Sequence, residues 1–252
     1  MSRPLALVTG GARRVGRAIC LELARAGCDI ALTYRRSADD AAATAAEVRQ
    51  LGAAAQLFEL DLADTSGIAR ACDSLAAGFA RCDVLIHNAS TYEPSPLKTL
   101  SPDRLMRDYA VNALAPAMLS RAFANHLSAS TLPGGGAIVA MVDIHALGEH
   151  GLPRKDFLSY AMSKAALMEL VRSLARELAP RVRVNAIAPG VVAWPESGHE
   201  SDAAAQAAYI KRVPLQRAGT PDDAAATVRW LALDAHYITG QVVRLDGGRS
   251  LL

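Results

Sequence analysis

The chain has no long apolar run, and none of its segments approaches the roughly 18 consecutive apolar residues that a membrane-spanning helix needs. It also has little excess charge. The 27 Lys and Arg residues against 25 Asp and Glu give a net charge of +2, so we expect neither nucleic acid nor an acidic membrane as a partner. No apolar leader precedes the first predicted strand, and the expected location is the cytoplasm.

Cysteine is scarce as well. The four cysteines (Cys20, Cys28, Cys72 and Cys82) include no Cys-x-x-Cys pair, and a chain of 252 residues needs no disulfide framework to bury a core. The six histidines show no metal-ligand spacing, so no metal is expected. A content of 51% hydrophobic and 21% charged residues excludes disorder and predicts one globular domain over residues 1–252.

Short apolar segments alternate with helical patterns along the chain. Strands are predicted at 4–9, 28–34, 54–60, 83–87, 136–142, 182–188 and 241–245. Helices are predicted at 14–26, 38–51, 65–80, 100–127, 157–178 and 221–233, with a kink or a break into two helices at Pro116. This alternation predicts an α/β protein, a Rossmann-type doubly wound parallel sheet of about seven strands with helices on both faces.

A glycine-rich turn follows the first predicted strand and contains Gly10, Arg13, Arg14, Val15 and Gly16. Glycines at a strand end let the backbone approach a pyrophosphate, whose charge then lies at the N-terminus of the next helix. Cations at that end oppose the helix dipole, so two merely solvated arginines are the less favoured explanation. The turn therefore predicts a dinucleotide site, with a simple tight turn as the alternative.

The end of the second predicted strand indicates which dinucleotide binds. NAD sites place an acid there for the ribose hydroxyl, whereas NADP sites use a basic residue. Here Tyr34, Arg35, Arg36 and Ser37 follow one another, and the first acid is Asp39. Two guanidinium groups and a hydroxyl suit a 2′-phosphate, so NADP(H) is the predicted cofactor, and a basic loop without this role is the alternative.

Tyr160 and Lys164 are four residues apart in a predicted helix and so lie on one helical face. An ammonium group beside a phenol is expected to lower the phenol's pKa, which makes the tyrosine a usable proton donor near neutral pH. A Tyr-x-x-x-Lys pair alone is common and mostly structural. Its combination with the glycine turn and with the His-Asn-Ala segment at 87–89 is specific.

Together these motifs resemble the short-chain dehydrogenase/reductase family over essentially the whole chain. The resemblance implies hydride transfer from a nicotinamide, with Tyr160 as the acid and Lys164 binding the nicotinamide ribose. It also implies that Asn112 anchors a proton-relay water and that the protein is a homotetramer. Further cofactor contacts implied by the family pattern are Asp61, Leu62, Asn88, Ala89, Ser90, Pro189 and Gly190.

Two departures from the common family pattern are similar to the pteridine reductase branch. Arg14 replaces the middle glycine of the turn, and Asp143 replaces the serine that usually polarises a carbonyl. The resemblance implies that Tyr92 stacks on a pterin and that Ser90 and Arg14 bind cofactor phosphate and the polar pterin edge. Asp143 would orient Tyr160 and help to protonate a ring nitrogen.

Several alternatives stay open at this stage. Asp143 could be a strand-end cap, and Tyr92 a core or rim aromatic. The resemblance implies that residues 190–217 form a substrate lid. Trp194 in this lid either covers the site or packs the lid down. His145 and His150 flank the predicted pocket and could touch the substrate.

The predicted function is NADPH-dependent reduction of a dihydropteridine (dihydromonapterin, dihydrobiopterin or dihydrofolate) to its tetrahydro form. A carbonyl reductase of the same family is the first alternative, and it is disfavoured by the missing serine at position 143. A non-catalytic NADP-sensing regulator is the second. Such a protein would tend to lose Tyr160 or Lys164, and both are present.

Overall fold

The computed structural model describes residues 3–147, 154–196 and 201–251. Seven parallel strands form one sheet in the order β3-β2-β1-β4-β5-β6-β7, which confirms the predicted doubly wound α/β fold. The strands are β1 (Leu5–Val8), β2 (Asp29–Tyr34), β3 (Ala55–Glu59), β4 (Val84–His87), β5 (Gly136–Met141), β6 (Val182–Pro189) and β7 (Val242–Leu245). The strand order reverses between β1 and β4, where folds of this kind place their ligands.

Helices cover both faces of the sheet. They are α1 (Arg14–Arg25), α2 (Ala38–Gln50), α3 (Ile68–Ala77), α4 (Pro102–Tyr109), α5 (Ala115–Ser128), α6 (Leu158–Glu177), α7 (Ala203–Ile210) and α8 (Pro221–Leu233). Because successive strand residues point to opposite faces, Ala6 and Val8 join the core under α1, α2 and α8, whereas Leu7 joins the core under α3, α5 and α6. None of the described helices is both long and apolar enough to cross a membrane.

Helical backbone continues through the helix predicted at 100–127, which is not divided by a loop. Helix α4 ends at Tyr109, the five residues Ala110–Leu114 form a π-helical segment, and α5 follows directly. Pro116 lies in the first turn of α5 and has no N–H to donate to the preceding turn, so the usual helical hydrogen bond cannot form there. The irregularity expected at Pro116 is therefore a widened turn just before it, and such turns are frequent at functional sites.

Two other boundaries differ from the prediction. Helix α7 lies inside the predicted lid segment 190–217, for which no helix was predicted, and the Asp202 side chain caps it by accepting from Ala205 N at 2.9 Å. Helix α3 is shorter than the predicted 65–80. The Asp64 carboxylate accepts from the backbone of Ser66 and Gly67 and so holds those residues in a turn.

The four cysteines are described as buried free thiols. This confirms the expectation that no disulfide supports the fold. Burial raises the pKa of each thiol, for example that of Cys72 to about 11, so these side chains behave as small apolar groups of the core.

Candidate active site

One large cavity of about 820 Å³ lies at the carboxyl edge of the sheet. This volume falls in the range of cofactor and small-ligand sites. Among the described residues, its wall includes these predicted site residues: Gly10, Arg13, Arg14, Val15, Gly16, Tyr34, Arg35, Arg36, Ser37, Asp61, Leu62, Asn88, Ala89, Ser90, Tyr92, Asp143, Tyr160, Lys164, Pro189 and Gly190. Two other predicted site residues, Asn112 and Trp194, do not contribute to the described wall.

The glycine turn forms one end of the cavity as a tightly packed cradle. Gly10 has a φ of +63°, in the left-handed region that side chains disfavour. At Gly16 a Cβ atom would approach the carbonyl oxygen of Gly10 to 2.1 Å, so a side chain is excluded. Asn88 braces the turn from β4, because its Nδ2 donates to the carbonyl oxygens of Thr9 (2.9 Å) and Gly10 (3.1 Å).

The charge of the cavity wall as a whole suits an anionic cofactor. The described cavity wall carries six cationic side chains (Arg13, Arg14, Arg35, Arg36, Arg154 and Lys164) and three acidic ones (Asp61, Asp143 and Glu196). Arg35 and Arg36 are exposed and directly follow β2. A nicotinamide dinucleotide carries a pyrophosphate that needs positive surroundings and close backbone approach, and the cradle and the cations provide both. The residues present therefore fit such a cofactor.

Arg14 occupies the position where the family pattern named above has a glycine. Its φ of 54° lies in the left-handed region, which glycine adopts without strain. Its guanidinium donates to the carbonyl oxygen of Trp194 at 2.7 Å and to that of Ala193 at 3.3 Å. It also pairs with Glu196 at 3.3 Å. Arg14 thus ties the glycine turn to the segment that follows β6.

Tyr160 and Asp143 meet at the other end of the cavity, although 17 residues separate them in the chain. The Tyr160 hydroxyl donates to Asp143 Oδ2 at 2.8 Å. The second carboxylate oxygen accepts from the backbone N–H of His145 at 2.7 Å and caps a short 3₁₀ helix. Asp143 therefore caps the 3₁₀ helix after β5 and also binds the tyrosine, and its part in protonating a substrate stays a prediction.

The pKa of Tyr160 is raised, which contradicts the expectation that Lys164 lowers it. Burial and the Asp143 carboxylate together hold the Tyr160 pKa well above 10. The Lys164 ammonium is 5.7 Å from the centre of the phenol ring and donates to the carbonyl oxygen of Met141 at 2.7 Å. Burial is the largest influence and the carboxylate in direct hydrogen-bond contact is the next, so the more distant Lys164 does not set the direction of the pKa shift. Tyr160 therefore keeps its proton in this site.

Tyr92 lies in the cavity wall next to Tyr160. Its ring stacks on Phe157 with ring centres 4.7 Å apart and meets Tyr160 edge-on at 4.9 Å. Burial raises the Tyr92 pKa to about 12, so this phenol is neutral. Sequence reasoning missed Phe157, although an aromatic three residues before Tyr160 lies one helical turn away on the same face. It also missed Arg154, whose guanidinium makes cation–π contacts with both rings.

A buried ion pair holds the loop that carries Tyr92. Asp108 is fully buried and accepts from Thr91 Oγ1 at 2.7 Å and from Arg104 Nε at 3.0 Å. Arg104 also pairs with Glu93. Nothing in the sequence pattern pointed to this group, since its members look like ordinary charges of an amphipathic helix. It fixes residues 91–93 and so positions the Tyr92 ring.

Asn112 lies in the π segment and also holds this loop. Its Oδ1 accepts from Thr91 N at 3.0 Å, and its Nδ2 donates to Ser163 Oγ at 2.9 Å. The side chain is fully buried, so the amide links the loop to α6. The role of Asn112 in a proton relay stays a prediction.

Trp194 does not reach the cavity with its ring. The indole packs edge-on against Tyr209 of α7 with ring centres 5.5 Å apart. This arrangement corresponds to the alternative in which Trp194 packs the lid down, and its contact with substrate stays a prediction. His145 lines the cavity, whereas His150 lies outside the described residues.

A doubly wound sheet whose main cavity joins a glycine turn to a buried tyrosine–lysine pair is the architecture of an NAD(P)-dependent oxidoreductase. The family model described as "Enoyl-(Acyl carrier protein) reductase" matches residues 10–250. The chain belongs to the short-chain dehydrogenase/reductase family.

Named relatives of the chain act on different kinds of substrate. It is 30% identical to 3beta-hydroxysteroid dehydrogenase 1 of Eggerthella lenta, covering 97% of this chain and 93% of the relative. It is 33% identical to pteridine reductase 1 of Leishmania tarentolae, covering 98% and 96%. The solved structure of acetoin dehydrogenase YohF from Salmonella typhimurium matches with a TM-score of 0.85 and 28% identity, covering 99% and 96%. Family membership therefore does not select the substrate.

The buried Lys164 predicts a pH-dependent stability. Burial lowers its pKa from 10.5 to about 8, so between these values the unfolded chain binds more protons than the folded one. The free energy of unfolding should therefore rise with pH in that window, and the Lys164→Met variant should lack this rise.

We expect the difference between wild type and variant to grow in favour of wild type by about 3 kcal/mol between pH 8 and 10.5. Urea unfolding of the cofactor-free proteins measures it. A difference that stays constant over this range would show that Lys164 is not desolvated.

Proposed function

We propose that the protein reduces a dihydropteridine to its tetrahydro form with NADPH as the hydride donor. Dihydromonapterin, dihydrobiopterin and dihydrofolate are the candidate substrates. The observation that carries the proposal is the hydrogen bond of 2.8 Å from Tyr160 to the carboxylate of Asp143. A carboxylate thus lies at the proton donor, where most relatives have a serine.

A carboxylate at this place favours reduction of C=N over reduction of C=O. Hydride addition to a carbonyl builds negative charge on oxygen, which a neighbouring carboxylate repels. Hydride addition to C=N also moves an electron pair onto the heteroatom, but this nitrogen is basic enough to take up a proton as the hydride arrives, so less negative charge develops beside the carboxylate. The N–H groups along a pterin edge are also donors that a carboxylate accepts. Asp143 is therefore suited to hold a pterin as well as to orient Tyr160.

Each of the site side chains has a distinct task in this proposal. Tyr160 holds a proton at its hydroxyl, and Asp143 fixes the direction of that hydroxyl. A nitrogen that gains electrons becomes strongly basic, so a phenol with a raised pKa can still protonate it. Lys164 supplies a positive charge on the same helical face as the phenol. Tyr92 offers a flat neutral ring on which a pterin can stack.

The cofactor would be held by the glycine cradle, with Arg35, Arg36 and Ser37 at the 2′-phosphate. NADPH, when bound, supplies the hydride. The adjacent guanidinium groups support NADPH over NADH, because a phosphate takes paired N–H donors whereas a ribose hydroxyl is better matched by an acid. The homotetramer and the cytoplasmic location implied earlier stay predictions.

A carbonyl reductase is the second candidate, and the named relatives acetoin dehydrogenase and 3beta-hydroxysteroid dehydrogenase favour it. Both candidates use Tyr160 as the proton donor. They differ in which double bond, C=N or C=O, is reduced beside the Asp143 carboxylate. A comparison of substrates therefore separates them.

The direct test follows the loss of NADPH absorbance with a panel of dihydropteridines, acetoacetyl thioesters and simple ketones. We expect turnover of at least one dihydropteridine with kcat/KM above that of every ketone. Turnover of ketones with no turnover of dihydropteridines would overturn the proposal.

The Tyr160→Phe variant tests the proton donor. Its turnover should fall by at least about tenfold with NADPH affinity nearly unchanged, since a positioned acid contributes roughly 10²–10⁴ in rate.

The cofactor preference has its own test. The Arg36→Ala variant should bind NADPH much more weakly, by roughly tenfold or more, with little change for NADH, because a charge-assisted contact to the 2′-phosphate is lost. Fluorescence titration of both cofactors measures this. The matched control is Arg70→Ala, which removes an exposed arginine from α3. Equal losses for the two cofactors would contradict a 2′-phosphate site at Arg36.

A further inference from the structure

Arg154 lies in the cavity wall near the proposed substrate end. Its guanidinium carbon is 4.5 Å from the centre of the Phe157 ring and 5.5 Å from the centre of the Tyr92 ring. Both distances are within the range of cation–π contacts. The same cavity wall contains Asp143 and Tyr160, so Arg154 belongs to the site and not to a remote surface.

Arg154 and Asp143 carry opposite charges and shift the pKa values of Tyr92 and Tyr160 in opposite directions. The Arg154 cation lowers the pKa of Tyr92 and the Asp143 carboxylate raises it, and the same two influences act on Tyr160. The substrate end of the cavity is therefore polarised. A carboxylate lies at the proton donor, and a guanidinium lies against the Tyr92–Phe157 stack.

The N–H donors of a guanidinium lie in its own plane, at the edge of the group. That fork matches the two oxygens of a carboxylate. Lysine at this position would lack the planar group with paired N–H donors. A neutral side chain would lack the positive charge. The position of Arg154 thus combines support of the aromatic rings with the capacity to bind an acid.

We propose that Arg154 selects substrates with an anionic side chain, binding a carboxylate while the flat ring lies on Tyr92. This inference rests on the proposed pteridine reduction and narrows it. A dihydropteridine with an acidic tail, such as dihydrofolate, matches the polarised cavity. The neutral side chains of dihydromonapterin and dihydrobiopterin leave Arg154 without a charged group of the substrate to bind.

Binding measurements test this without depending on turnover. Folate and its dimethyl ester share the same ring and nearly the same size but differ in the charge of the tail. Calorimetric titration of each into the protein saturated with NADP⁺ gives two dissociation constants. The variants are Arg154→Gln, which removes the charge, and Arg154→Lys, which keeps the charge without the planar fork. Lys155→Gln is the matched control, since it removes a neighbouring exposed cation that does not line the cavity.

In the wild type we expect folate to bind at least about tenfold more tightly than its ester, because hydrogen bonds between ionised partners are roughly twice as strong as neutral ones. The preference should shrink to within about threefold in Arg154→Gln, be partly kept in Arg154→Lys and be unchanged in Lys155→Gln. Equal wild-type affinities, or a preference that survives Arg154→Gln, would overturn the inference. An equal weakening of both ligands in Arg154→Gln would assign Arg154 to ring packing alone.

Absence of binding by both folate and its ester, together with no turnover of any dihydropteridine, would instead count against the pteridine function. The charge preference is then measured with kcat/KM for 5-oxohexanoate and its methyl ester, using NADPH and the same variants. A preference for the acid that disappears in Arg154→Gln upholds the selection of anionic substrates for a ketone. Equal kcat/KM values for 5-oxohexanoate and its methyl ester in the wild type would overturn that selection.

Discussion

The hydrogen bond between Tyr160 and Asp143 is the interaction on which the site depends. It joins the end of β5 to helix α6 and places a carboxylate at the proton donor. The second oxygen of Asp143 is fixed by the backbone of His145, so the carboxylate has little freedom to turn away. Burial of the phenol removes competing water, which strengthens the bond and keeps the proton on Tyr160.

Around this bond the cavity divides into two ends with different chemistry. The glycine cradle and the arginines after β2 form a positive end that suits the phosphates of a dinucleotide. The other end is aromatic and is held by groups behind it, namely the buried Asp108–Arg104 pair and the amide of Asn112. Arg14 connects the cradle to the segment after β6.

Much of the fold could be predicted because its signals are local. Strand and helix periodicity, the glycine turn and the Tyr160–Lys164 spacing all lie within short segments. The meeting of Asp143 with Tyr160 was expected from a family resemblance, and the geometry agrees with it. Features that depend on distant partners were missed, such as the Arg154 stack, the Asp108 pair and the packing of Trp194 on Tyr209.

The pKa of Tyr160 shows why composition and spacing are insufficient for electrostatics. Spacing placed Lys164 on the same helical face and predicted a lowered pKa. The actual direction is set by burial and by a carboxylate from another element, and neither is visible in an i, i+4 pattern. The π segment is a similar case. Pro116 marked the region of the irregular turn, but the hydrogen bond from Thr91 to Asn112 in that turn joins distant parts of the chain and could not be predicted from the proline.

The most direct measurement of the central claim is a substrate-specificity ratio in an Asp143→Ser variant. The ratio compares kcat/KM for a dihydropteridine with kcat/KM for a ketone, both with NADPH. Replacing the carboxylate by a neutral hydroxyl should lower this ratio by at least roughly a hundredfold, since it removes a group that assists protonation of nitrogen and repels a developing oxyanion. An unchanged or increased ratio would contradict the role assigned to Asp143.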